Sequence, residues 1–409
     1  MVKHQDEQRG IITPVETLKP LEETLELQRS KRSLAIGIIK DKTDNEQRVP
    51  LTPDAVSLLV AHEHSVYIEA GAGIGSHYDD HKYSEAGAQI VSDIREVFQA
   101  DIILKMAALT PEEIEMVRMR QTIFTSLQLP GLCEEYFRRL AAKKATALSF
   151  QLIKDRTKAF PIIRAMSEIA GNTCVLIASE YLSHPQYGRG VMLGGFSGIS
   201  PTEVVILGAG TVGEFATRAA IGMGALVKVF DNSIYKLRRL QNNLNTRIYT
   251  SIMQPKTLSE VLRTADVVIG AVHSKEGRTP CFITQDMVRL MKPGSLIIDV
   301  SIDQGGCFET SHVTDHNNPV YIKHGVTHYC VPNIASRVPH TATIALSNIL
   351  LPIMLEIAAK GGLAELLKID LGVRQGVYMY NGTVTNKFIS DTFRLPFQDI
   401  DLLMSANFG

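Results

Sequence analysis

Gly208, Gly210 and Gly213 set out G-x-G-x-x-G within GAGTVG (208–213), and Asp231 closes the apolar run that follows. Those residue types at that spacing suit the pyrophosphate of a dinucleotide. The first glycine permits a tight turn, the second lets the backbone approach an anion, and the third allows close packing of helix on strand. Thr211 and Val212 open the helix whose N-terminal amides face the anion. A carboxylate at Asp231 accepts hydrogen bonds from an adenosine ribose and repels a 2′-phosphate, which favours NAD over NADP. Isolated glycine patterns are common. Here the order of strand, turn, helix, strand and terminal acid carries the reading.

The elements that hold these residues are legible in hydrophobic pattern. Residues 204–207 are an unbroken apolar run, as in a strand covered on both faces, and 226–230 make the next strand. Segment 265–272, ADVVIGAV, is a further strand whose end, at Ala271 and Val272, faces the cofactor, because ligands in open α/β sheets lie at strand C-termini. GSLIIDVSIDQGG (294–306) and HYCVPN (328–333) read as two more. Upstream, strands at 34–39 and 101–105, a Thr-Pro-Glu-Glu helix start at 110–113, the strand QTIFTSLQL, a helix over 133–143 and ATALSFQLI continue the β/α alternation to about residue 160. Between the halves, 161–182 is a long helical run suited to bridging two domains. From about residue 341 a long apolar helix carries the chain back, which makes the first domain discontinuous. The expected division is an extension over 1–32, a substrate domain over 33–165 plus 341–409, and an NAD-binding domain over 166–340. A second glycine-rich stretch, GAGIGS (71–76), lacks a following helix and acid-ended strand and reads as a loop.

Composition bounds the function. A chain of 409 residues exceeds one core and implies two domains. Net charge of −1 and 45% hydrophobic residues describe a globular protein without the basic surplus that nucleic acid requires. The N-terminus, MVKHQDEQRG, is polar rather than signal-like, and no apolar run of membrane-spanning length stands out. The five cysteines (133, 174, 281, 307, 330) form no C-x-x-C, which suits free thiols in a reducing cytoplasm and argues against a disulfide scaffold or a metal site.

Several longer stretches identify a family. NEQRVPLTP (45–53), AGAGIGS (70–76), MSEIAG (166–171), GRGVMLGG (188–195), VVILGAGTVG (204–213), MKPGSLIIDVSIDQGGCFE (291–309) and HYCVPNIASRVPHTAT (328–343) resemble alanine dehydrogenase and, more distantly, the NAD(H)-binding component of proton-translocating transhydrogenase. MSEIAG favours the first branch. The resemblance implies two Rossmann-like domains closing over a cleft, usually in a homohexamer. It also implies reversible, NAD-dependent oxidative deamination of L-alanine to pyruvate and ammonia. Arg48 matches the arginine that clamps the substrate carboxylate, a task suited to a planar guanidinium. Asp303 matches the aspartate beside the nicotinamide, and Asn333 an asparagine lining the substrate site. Met166 and Ser167 match positions near nicotinamide and pyrophosphate. Asp231 matches the ribose-binding acid, with Lys236 near the adenosine.

Two positions depart from the family. Its second lysine after the strand at 101–105 contacts substrate, whereas LKMAAL (104–109) has Ala107 there and keeps only Lys105. Its proposed acid/base histidine is Gln128 here, and a glutamine cannot exchange a proton near neutral pH. Lys105, two residues back on one strand face, is a candidate to reach the site, as are His273 and His340 for a missing imidazole. The alternative to a deaminating enzyme is therefore an NAD(H)-binding homologue that no longer deaminates: a transhydrogenase-like subunit, a sensor or a pseudoenzyme.

Overall fold

The computed structural model describes residues 32–406 apart from 44, 128, 130 and 275–277. The expected extension, all but its last residue, and Gln128 lie outside the described residues. Two sheets organise the remainder. In the first, strands β1 (Ala35–Ile38), β2 (Ser65–Glu69), β3 (Gln89–Val91), β4 (Ile102–Leu104), β5 (Thr122–Thr125) and β6 (Thr146–Ser149) are parallel. The second is built from β7 (Glu203–Leu207), β8 (Leu226–Phe230), β9 (Tyr249–Ser251), β10 (Val267–Gly270), β11 (Leu296–Asp299), β12 (Val320–Lys323) and β13 (Val326–Tyr329). Only β12 runs antiparallel there. The late strands β14 (Val377–Tyr380) and β15 (Thr383–Val384) return to the first sheet, where β14 pairs antiparallel with β6.

The parallel strands of the first sheet lie in the order β3-β2-β1-β4-β5-β6, and those of the second in the order β9-β8-β7-β10-β11-β13. Both are doubly wound, so each sheet has a switch point, between β1 and β4 and between β7 and β10, where successive connections cross to opposite faces and leave a crevice. Register keeps the strand ends level at both places: Ile38 pairs with Leu104 and Leu207 with Gly270.

Local sequence explains the helices that flank the sheets. Thr110 caps helix Pro111–Met116 through a reciprocal capping box with Glu113, with proline in the first turn, as the Thr-Pro-Glu-Glu run predicts. Helix Pro161–Ser183 crosses helix Thr211–Gly222 so closely at Gly171 that a Cβ there would stand 2.5 Å from the Val212 carbonyl oxygen. Helix Pro339–Lys360 buries Leu346, Leu350, Met354 and Ile357 in the core of the first sheet and so returns the chain to it. Each such side chain taken from water contributes about 1.5–3 kcal/mol. These two long helices are also apolar enough, by length and composition, to cross a membrane, although no apolar run of that length stands out in the sequence. Their buried faces belong to the two cores.

Several strands are shorter than the apolar pattern suggests. Segment 294–306 is a strand only to Asp299 and then winds into a 3₁₀ turn, Val300–Gln304, ended by Gly305 and Gly306 with φ of +90° and +77°. QTIFTSLQL is a strand only over Thr122–Thr125, and the strand expected at 101–105 ends at Leu104. All five cysteines are free thiols.

Candidate active site

At the second switch point the backbone takes the shape that the three glycines allow. Gly208 has φ +109°, and a Cβ there would lie 2.4 Å from the Ala271 carbonyl oxygen, so the turn excludes any side chain. A Cβ on Gly213 would lie 1.9 Å from the Gly208 carbonyl oxygen, which locks helix Thr211–Gly222 onto β7. By contrast, a Cβ on Gly210 would meet nothing within 4 Å. Gly210 is also the N-cap of that helix and offers it no side-chain cap, so the first-turn amides of Thr211, Val212 and Gly213 are available to an anion. A dinucleotide pyrophosphate fits this cradle.

Asp231, buried at the end of β8, is held on both oxygens: Oδ2 accepts from the Ala209 amide at 2.8 Å and Oδ1 from the Ser233 amide at 2.8 Å. Each carboxylate oxygen keeps a further lone pair for a ribose hydroxyl. Lys236 sits 3.7 Å from Oδ2, half-exposed on the next helix. Past β10, Ala271 donates to the Leu207 carbonyl at 2.7 Å and Val272 to Ser301 Oγ at 2.9 Å, which ties the strand end to the turn that carries Asp303.

The other wall of the cleft is the segment after β1. Arg48 is buried, and Glu46, also buried, grips it with both oxygens: Nε to Oε1 at 2.7 Å and Nη2 to Oε2 at 2.5 Å. Its third nitrogen, Nη1, lies 3.2 Å from Met166 Sδ on helix Pro161–Ser183, with Ser167 the next residue of that helix. Asn333, in the left-handed region at φ 56°, donates from Nδ2 to Glu46 Oε2 at 3.0 Å and to the Asn45 carbonyl at 3.3 Å. Its backbone amide donates to Asp303 Oδ1 at 2.9 Å. The structure thus brings Arg48, Asn333, Asp303 and Met166 together at the junction of the two halves. Asp303 opens to solvent on the cleft side, yet protein crowds around it. That loss of hydration raises its carboxyl above the ordinary carboxylate range, against the opposing Asn333 amide and Arg48 charge.

GAGIGS has a different task from GAGTVG. A Cβ on Gly75 would lie 2.7 Å from the Gln47 carbonyl oxygen, and Ser76 Oγ donates to that same carbonyl at 2.8 Å. The loop braces the extended segment between Glu46 and Arg48.

Lys105 does not reach the cleft. It is 2% exposed, and its ammonium lies 2.7 Å and 3.0 Å from the two oxygens of Glu113, itself 2% exposed. The expectation that it shares a face with Ala107 fails because β4 ends at Leu104 and the two-residue alternation ends with it. Ala107 itself turns its amide to Asp41 Oδ2 at 2.8 Å. His340 is engaged by the Ser76 carbonyl at 2.8 Å and the Tyr78 ring at 4.7 Å, and His273 is exposed beyond β10. Glu46 is the residue that sequence reasoning missed. Its signal was an acid two places before the arginine in an extended segment, where i and i+2 share a face.

Two doubly wound halves with a dinucleotide cradle on one wall and a buried arginine on the other define a two-domain α/β nucleotide-binding protein of the Rossmann type. The family description "Alanine dehydrogenase/PNT, N-terminal domain" matches residues 37–170, and "Alanine dehydrogenase/PNT, C-terminal domain" matches 174–387. The chain is 38% identical over 358 residues to alanine dehydrogenase of Bacillus subtilis, covering 87% of this chain and 94% of that one. It is 36% identical over 369 residues to the alanine dehydrogenase of Staphylococcus saprophyticus, covering 90% and 99%. A solved L-alanine dehydrogenase superposes with a TM-score of 0.82 at 35% identity over 88% of this chain and 99% of that one. The chain belongs to the alanine dehydrogenase/PNT family, and its cofactor is NAD.

Proposed function

We propose that this protein is an NAD-dependent oxidoreductase that reversibly deaminates L-alanine, or a closely related small amino acid, to the 2-oxo acid and ammonia. The observation that carries this reading is the convergence of Arg48, Asn333 and Asp303 on one cleft across from the Gly210 cradle. NAD, when bound, accepts the hydride. Thr211, Val212 and the glycines hold its pyrophosphate, Asp231 its ribose, with Lys236 beside the adenosine, and Ala271, Val272, Met166 and Ser167 border the nicotinamide. Arg48 takes the substrate carboxylate and Asn333 orients the substrate beside it. Asp303, its carboxyl raised above its ordinary value by loss of hydration, exchanges the proton that leaves or joins the substrate. With alanine at position 107, no ammonium there polarises the substrate oxygen, and Arg48 is the cation left beside it. A glutamine at position 128 cannot take the proton that a histidine there would carry.

The working division is a substrate domain over 33–165 plus 341–409 and an NAD-binding domain over 166–340, supported by the return of β14 and β15 to the first sheet. A cytoplasmic homohexamer is the assembly that the family likeness suggests.

A second reading, an NAD(H)-binding homologue that does not deaminate, is favoured by Ala107 and by the sequestration of Lys105. Reduced nicotinamide formed from NAD and a panel of small amino acids at alkaline pH separates the two. Turnover with alanine that Arg48→Ala abolishes supports the enzyme. NAD binding by calorimetry without turnover of any amino acid supports the second reading.

A further inference from the structure

The geometry points to Glu46 as a positioning residue that sets the polarity of the substrate pocket by fixing Arg48 and Asn333 at once. This rests on the proposal that the cleft binds a small amino or 2-oxo acid. Glu46 has a buried side chain and, among the described residues, five contacts: the Arg48 amide at 3.1 Å, Arg48 Nε at 2.7 Å, Arg48 Nη2 at 2.5 Å, Asn333 Nδ2 at 3.0 Å and Ser336 Oγ at 3.5 Å. The consequences differ for its two main partners.

A guanidinium presents a side edge, Nε with one Nη, and an end edge formed by its two Nη groups. Glu46 occupies the side edge of Arg48. What remains for a ligand is the end edge, where among the described residues Nη1 meets the thioether of Met166, a weak acceptor at 3.2 Å. A substrate carboxylate displaces that sulfur at small cost and takes Nη1 and the second hydrogen of Nη2. Without Glu46 the guanidinium is free to turn its side edge into the cleft, which would move the bound carboxylate.

For Asn333, Glu46 Oε2 and the Asn45 carbonyl use both N–H donors of the carboxamide. The amide therefore offers the cleft its oxygen, an acceptor, and the natural partner for an acceptor is the amine of an amino acid. One carboxylate thus points a donor edge at the substrate carboxylate and an acceptor at the substrate nitrogen. It also joins the two halves, since Glu46 follows β1 whereas Asn333 and Ser336 follow β13 and Asn333 holds Asp303. A glutamine at 46 has one acceptor oxygen and one donor NH₂, so in either orientation an N–H of Arg48 faces its NH₂, and in one of them the Asn333 amide does too.

The test compares wild type, Glu46→Gln and Glu46→Asp, each as NADH complex. Pyruvate binding, the KM and kcat of reductive amination, NADH affinity and crystal structures are measured. For Glu46→Gln we expect NADH affinity unchanged, pyruvate affinity weakened on the order of 10- to 100-fold, KM raised more than kcat is lowered, and Arg48 or Asn333 turned from its place. Glu46→Asp, shorter but with two acceptors, recovers part of the loss, and it carries the test alone if the glutamine variant does not fold. Wild-type pyruvate binding in both variants overturns the assignment, and so does a parallel loss of NADH affinity or an undisturbed Arg48 and Asn333 in the crystal. If wild type binds NADH but no pyruvate, the proposed substrate class falls, and the crystal structures alone decide the role of Glu46.

Discussion

Replacing Lys105 with methionine separates a structural lysine from a catalytic one. Its ammonium and the Glu113 carboxylate are each 2% exposed and meet at 2.7 Å and 3.0 Å. In Lys105→Met, Glu113 keeps, among the described residues, only the Thr110 amide, at 2.8 Å, as partner for a buried charge. Removing one member of such a pair costs about 3–5 kcal/mol, because the survivor is left uncompensated. In a domain of this size each kcal/mol shifts Tm by roughly 2–4 °C, so the variant loses on the order of 10 °C. Glutamine at 113 still closes the capping box with Thr110. The double variant Lys105→Met, Glu113→Gln therefore recovers most of the loss, because no unpaired charge remains. Thermal unfolding followed by circular dichroism reads the stability, and steady-state NADH formation well below the transition reads the catalysis. Stability falls and kcat/KM stays at the wild-type level if Lys105 is structural. A fall in kcat/KM of ~100-fold, the size expected for loss of a proton-transfer or polarising group, with an unshifted Tm would refute this placement and restore Lys105 to the cleft.

The glycine cradle predicts two outcomes from one chemical change. Gly210→Ala adds its methyl into open space, so Tm holds and NAD affinity falls where the pyrophosphate is displaced; Gly213→Ala drives a Cβ to 1.9 Å from the Gly208 carbonyl oxygen and lowers both, read by calorimetry and thermal unfolding. His328 predicts an acid sensitivity. It is fully buried against Thr310 Oγ1 at 2.8 Å, and burial lowers its pKa from 6.5 to about 4. The unfolded chain takes up a proton below pH 6.5 that the folded one refuses until about 4. The contribution of His328 is complete above 6.5 and drains away as pH falls through that window, by about 3 kcal/mol in all. His328→Gln flattens the pH dependence of stability over this range, and an unchanged slope in urea unfolding would contradict the assignment.

What the sequence disclosed and what it hid divide along a physical line. The nucleotide cradle was legible because its requirements are local: three glycines, one helix start and one strand-end acid within a single βαβ unit. The long helices and the return of the chain were legible because apolar length alone implied them. Lys105 misled because strand alternation predicts a face only while the strand lasts, and β4 stops one residue earlier. Glu113 lies on the following helix, so their pairing depends on how that helix docks on the sheet. Glu46 was overlooked although it sits in the same motif as Arg48. Its role emerges only when Asn333, from the far half of the chain, arrives on the same carboxylate.

The central claim is that hydride passes from the substrate Cα to NAD in the cleft between Arg48 and the Gly210 cradle. Its most direct test is to incubate the protein with NAD and L-alanine deuterated at Cα, then examine the dinucleotide by mass spectrometry. The account predicts deuterated NADH with wild type and none with Arg48→Ala. Bound NAD that acquires no deuterium from alanine or any related small amino acid would contradict it.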